Sequence, residues 1–180
     1  PGFAGGRDAP CGDKMLAVRL MKYTLLSGIA MMFIGCVQPL MADGMTNKKM
    51  IKPTHHQFTH NAEMMMALAF AFPYCELPSK LLVATFCLLQ SGAWFNPIAY
   101  WIQAYTGCPN PLMQVVSPEL FPHLPRNRDG VITDLGDDNF YTHLVAFLLQ
   151  GPTGLGIWLS MILLFVGLAR SDKFYKPKSM

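Results

Sequence analysis

Charge is scarce in this chain. Of its 180 residues, 14 are Lys or Arg and 11 are Asp or Glu, so 14% carry a formal charge while 52% are hydrophobic. A soluble domain carries about 25% charged residues. With so few charges, part of the surface is expected to face lipid. The net charge of +3 is modest, and no basic run interleaves with aromatics. That pattern excludes a nucleic-acid-binding surface. The five cysteines (Cys11, Cys36, Cys75, Cys87, Cys108) are odd in number and contain no C-x-x-C pair. They read as small packing residues rather than as a disulfide framework or a metal site. Cys75 and Cys108 flank the central segment and are the one pair to test for a bridge. An initiator Met is also missing: the chain begins Pro-Gly-Phe. Such a start is expected of a processed precursor, for instance one that has lost an organellar transit peptide. It is equally expected of a longer chain whose head is not included.

What is present is a series of apolar segments. Residues 1–22 read as a coil followed by a short amphipathic stretch from Asp13 to Lys22. Tyr23–Met41 carries no formal charge and is close to the roughly 20 residues that cross about 30 Å of hydrocarbon. Gly28 and Gly35 in it permit close helix approach, and Gln38-Pro39 weakens its far end. A polar link with Lys48, Lys49 and Lys52 leads to Pro53, a residue favoured where a helix begins. The second span, 54–73, is polar in its first turns and apolar in its second half. The third, 79–105, contains Pro97, which deprives the Ala93 carbonyl of its helical partner and predicts a kink.

A long loop, 106–140, follows and is either a lid or a docking arm. Within it Asn127-Arg128-Asp129-Gly130 imitates a calcium loop, but Pro125 and Gly136 stand where acidic ligands belong. The fourth span, 141–169, is interrupted by GPTGLG, and residues 170–180 form a basic tail. The expected fold is all-α, a four-helix transmembrane bundle occupying 23–169. The N-terminus, the 74–80 turn and the C-terminus share the Lys/Arg-rich side, so both ends are expected to face cytosol, matrix or stroma.

The polar residues inside these spans are the candidates for chemistry, because a polar group in hydrocarbon is unfavourable unless paired or wet. His56 and His60 lie four apart with His55 beside them, a grouping able to ligate a metal or a haem iron. The plainer alternative is that these rings rest among headgroups. Di-iron membrane hydroxylases need several histidine boxes, and here His123 and His143 are isolated, so that class is excluded. Asn96 and Tyr100 lie one turn apart, next to Trp94 and Pro97. A carboxamide and a phenol facing inward can bind an oxygen of a small ligand or simply bond across helices.

The arrangement of His55, Asn61 and Met64, a helix ending at Pro73, then Trp94, Asn96 and Tyr100 resembles the styrene oxide isomerase family. The resemblance is clear over residues 54–105. It implies a four-helix membrane fold, assembly as a homotrimer around haem b, and isomerisation of epoxides to aldehydes without redox turnover. It further implies His55 as the axial haem ligand, with His56 or His60 as alternatives, and no metal beyond the haem iron. Asn61 and Tyr100, with Asn96, would orient the oxygen of a small apolar epoxide. One departure stands out: the family's acidic position, two before the tryptophan, is Gly92. Glu63 could replace it only from another helix. The leading expectation is therefore an accessory or structural subunit of a larger respiratory or photosynthetic membrane complex, in an organellar inner or thylakoid membrane, with or without haem. The alternative is an active haem-b-dependent isomerase.

Overall fold

The computed structural model describes residues 11–108 and 140–171, and no strand occurs among them. Four rods run back and forth. The first, α1 (Cys11–Val37), passes through 3-10 turns at Gln38–Gly44 and Lys48–Met50 into α2 (Ile51–Ala69). A 3-10 turn at Phe72–Tyr74 leads to α3 (Ser79–Thr106). The fourth rod is α4 (Phe140–Leu148), a π-helical segment (Leu149–Leu155) and α5 (Gly156–Ala169), continuous end to end. Three rods are long and apolar enough to cross a membrane: Lys14–Gly44, Ser79–Thr106 and Phe140–Ala169. The shorter α2, polar in its first half, packs between α1 and α3.

Large apolar side chains point outward, as hydrocarbon as solvent requires: Phe33 is 68% and Phe165 73% exposed. No charged side chain is buried among the described residues. Threonine hydroxyls inside the rods are satisfied without a second helix. Thr24, Thr54 and Thr85 each donate to the carbonyl four residues back, at 2.7–2.8 Å.

Small residues set the spacing between rods. A Cβ on Gly28 would come 2.8 Å from Met66 Cγ, and one on Gly35 2.9 Å from Phe58 Cβ, so α1 and α2 touch along the glycine face expected of them. At the other side of the bundle Gly92 of α3 meets the fourth rod. Its missing Cβ would lie 2.6 Å from Ile157 Cγ1, while a Cβ on Gly156 would lie 2.9 Å from Leu88 O. α3 stops at Gly107, whose φ of +70° places it in the left-handed region, with its N–H bonding Gln103 O.

One end of the bundle gathers Ala17 and Leu20 of α1, the Phe72–Leu77 turn and Leu164 of α5 in one apolar cluster. There Glu76 N donates to Gly167 O at 3.0 Å. The start of the first rod, the 74–80 turn and the end of the fourth therefore share that end. At the opposite end Asn47 N donates to Ala104 O at 2.9 Å, tying the 42–50 link to α3.

Several of the expected boundaries are drawn more finely here. The amphipathic stretch before residue 23 leads directly into the first span: one helix runs from Cys11 to Val37, because nothing between Asp13 and Tyr23 breaks it. The α-helical part of that span ends at Val37, and from Gln38-Pro39 the rod continues to Gly44 as a 3-10 helix, which takes in the expected end at Met41. The GPTGLG motif does not interrupt the fourth rod. The helix widens to π geometry around Pro152, which has no N–H to donate, and then resumes. Cys75 and Cys108, the pair to test for a bridge, are free and buried as packing residues, at opposite ends of α3, a helix about 42 Å long at 1.5 Å per residue. The loop between residues 109 and 139, with its calcium-like Asn127–Gly130 and His123, and the tail from 172 lie outside the described residues, as do the first ten.

Candidate functional site

α2 and α3 run antiparallel with their polar residues interleaved. Asn61 is buried and donates from Nδ2 to Ala93 O at 2.8 Å. That carbonyl is the one Pro97 leaves without an N–H four residues on, so the asparagine replaces the lost helical bond from the neighbouring rod. α3 continues through Pro97 as helix. One turn away Asn96 Nδ2 donates to Gln57 Oε1 at 2.7 Å. One further turn along α3 sits Tyr100, half-buried, with no hydrogen-bond partner among the described residues. Asn61, Gln57, Asn96 and Tyr100 thus form one polar seam between α2 and α3.

Trp94 belongs elsewhere. Its Nε1 donates to Ser27 Oγ at 2.7 Å, and Ser27 Oγ donates to Gln90 Oε1 at 2.7 Å, so the indole binds α3 to α1. Gln90 Nε2 remains buried without an acceptor. Asn96 and Trp94 therefore do not share the neighbourhood that their closeness in sequence suggests. Gln57 and Ser27 are the residues that the sequence reading missed. Gln57 stands one turn before Asn61, so the same i, i+4 rule that paired His56 with His60 would have found it. Ser27, between Leu26 and Gly28, gives no such signal.

The histidines divide between two faces. His55 is half-buried, its Nδ1 2.8 Å from Gly35 O. A carbonyl only accepts, so Nδ1 carries the proton, and Nε2 of the neutral ring keeps its lone pair. This tautomer is the one a metal-ligating histidine adopts when a backbone carbonyl fixes its other nitrogen. Gly35 is also one of the two glycines at which α1 touches α2, so the same small residue permits the contact and supplies the anchor. His56 and His60 are exposed on the outer face of α2. Glu63 is exposed there too, 3.6 Å from His60, and so does not enter the α2–α3 seam in place of an acid at Gly92.

Gly92 itself needs a different reading. Its Cβ direction is filled by Ile157 and by Pro152 O, 3.1 Å away, so a side chain at this position would run into the fourth rod. Six residues separate His55 from Asn61, which puts them about 120° apart around α2. Within one chain the imidazole and the amide–phenol seam therefore open on different sides of that helix.

Comparison with known proteins bears on this arrangement. Hydroxylaminobenzene mutase HabA of Ectopseudomonas oleovorans is similar, 27% identical over 100 residues that cover 56% of this chain and 74% of that protein. No solved structure matches. The family model for styrene oxide isomerase matches residues 20–115, a region that holds most of α1 and all of α2 and α3, with His55, Gln57, Asn61, Gly92, Asn96 and Tyr100. A helical bundle with lipid-facing rods, a proline-released carbonyl held by Asn61 and that match lead to one statement: this chain is an integral membrane protein that belongs to the styrene oxide isomerase family.

Proposed function

We propose that this chain is a membrane scaffold of the isomerase fold, serving as an accessory or structural subunit of a larger organellar membrane complex and keeping a haem-b site at His55. The observation that carries the reading is the packing at Gly92. Ile157 and the Pro152 carbonyl fill the space a side chain would need, so the family's acidic group has been exchanged for a helix contact. Asn61 and Asn96 serve the same end, each holding α3 against α2. The fit to haem rests on His55, whose Nδ1 is fixed by Gly35 O and whose Nε2 is left as a ligand. Bound haem b would supply a Lewis-acidic iron toward an oxygen of a small apolar molecule. Because His55 and the Asn61–Tyr100 seam open on different sides of α2, a ligand touching both sets would lie between copies. That supports the trimeric assembly implied by the resemblance.

One observation favours the second reading, a working epoxide-to-aldehyde isomerase. Tyr100 keeps a phenol with no internal partner among the described residues, a donor available to a substrate oxygen. The relative named a mutase also supports it, as a protein named for rearrangement rather than for redox chemistry. The enzyme reading requires a haem and the scaffold reading stands with or without one, and one preparation tests them. The purified full chain should show a Soret band that His55→Ala abolishes and Tyr100→Phe leaves in place. The scaffold reading expects no aldehyde from styrene oxide and co-purification with a larger membrane complex at fixed stoichiometry. Aldehyde formation that Tyr100→Phe lowers by orders of magnitude would overturn it in favour of the enzyme.

A further inference from the structure

Two histidines that the haem reading does not use lie together on the outer face of α2. His56 and His60 stack one helical turn apart, ring centroids 5.7 Å, with 15° between the planes. Glu63 Oε2 lies 3.6 Å from His60 Nδ1, and these two side chains are 68% and 62% exposed. Neither imidazole is part of an apolar cluster. We propose that His56 and His60 form a two-histidine clamp for a borderline divalent ion such as zinc, nickel or copper(II), with Glu63 as the positioning residue for His60.

The chemistry follows from the helix. Residues four apart are neighbours on one face, so two imidazoles there can converge on a single ion. Imidazole suits zinc, copper and nickel, and the two rings already lie near-parallel, 5.7 Å apart between centroids. Glu63 Oε2 lies 3.6 Å from Nδ1, and a small rotation of this exposed carboxylate would bring it into hydrogen-bond reach, leaving Nε2 to ligate as in the usual carboxylate–histidine arrangement around a metal. Water completes the coordination. Among the described residues no group of three or more His, Cys, Asp or Glu is placed to hold a metal, so the described residues offer the two imidazoles as ligands.

Position on the rod makes the clamp reachable. His56 stands little more than one turn from Lys52, an exposed cation near the polar link that precedes α2. Two imidazoles and a carboxylate facing hydrocarbon would be costly, so this rim of α2 is wet or covered by headgroups. His55 stays outside the clamp. Its ring is tilted 58° to that of His56, and its Nδ1 is held by Gly35 O on the α1 side. The inference stands independently of haem.

The test uses the untagged full chain in detergent micelles, titrated with zinc chloride or copper(II) sulfate. One equivalent should bind, and the copper EPR spectrum should show coupling to two imidazole nitrogens. His56→Ala and His60→Ala should each lose that signal, and His60→Gln should do so with no change in packing volume. Glu63→Gln should weaken binding roughly ten-fold, while His55→Ala and His143→Ala retain it. All the clamp residues are at the surface, so elution volume and helicity should stay at wild-type values. Binding that survives both alanine variants, or that disappears only with His55→Ala, overturns the clamp. An unchanged affinity in Glu63→Gln overturns the positioning role.

Discussion

A single amide shows how residue identity acts in this bundle. Asn61 is not a spare polar group near a pocket: it supplies the donor that Pro97 removed from α3. A buried carbonyl left unpaired costs about 1–3 kcal/mol, so Asn61→Ala should lower stability in detergent by that order. The pairing is tested by the partner substitution. Pro97→Ala returns an N–H to the helix, which can bond Ala93 O directly. In that background Asn61→Ala should be milder by about 1 kcal/mol, a coupling readable from a double-mutant cycle of thermal unfolding. Strictly additive effects would mean that the two residues do not serve the same carbonyl. The sequence disclosed the orphaned carbonyl, since the rule linking Pro97 to Ala93 is local. It did not disclose the donor, because the asparagine lies on another helix.

At the scale of whole elements, glycines decide where rods meet. Gly28 and Gly35 bring α2 against α1; Gly92 and Gly156 bring the fourth rod against α3. Gly92→Ala would put a methyl 2.6 Å from Ile157 Cγ1 and 2.8 Å from its backbone nitrogen. Backbone cannot yield as a flexible side chain does, so overpacking of about 1–3 kcal/mol is expected. Gly92→Asp should be worse, and restoring the acid should lower the unfolding temperature without creating isomerase activity. A stable Gly92→Asp protein that converts styrene oxide would show that this position serves the chemistry rather than the helix contact. The sequence reading treated Gly92 only as a missing carboxylate. Its packing role was hidden because the neighbour, Ile157, lies far along the chain and beyond the long loop.

For the molecule as a whole, the order of the rods sets which segments share an end. The apolar cluster of Ala17, Leu20, Phe72, Leu77 and Leu164 and the Glu76–Gly167 backbone bond gather the 74–80 turn and the far end of α5 at one end. Thr46, bonded to Tyr105 O at 2.6 Å, lies at the other. In a cysteine-free background within sealed, oriented vesicles, Glu76→Cys and Thr46→Cys should therefore react with an impermeant maleimide from opposite sides. Both positions are exposed, so a lack of labelling would not come from burial. Labelling of both from one side would exclude four crossings.

Composition and periodicity alone determined that this is a lipid-facing bundle of helices. The low charge, the apolar run lengths and the glycine spacing are properties of the chain read along its length. The family signature in α2 and α3 is local in the same sense, and it was legible for that reason. Tertiary structure decided the partners: Asn61 to the carbonyl of Ala93, Trp94 to Ser27, His55 to Gly35, and Gly92 to Ile157. Each of these contacts joins residues on different rods, and which faces meet depends on how helices cross, a geometry that helical periodicity within one segment does not contain.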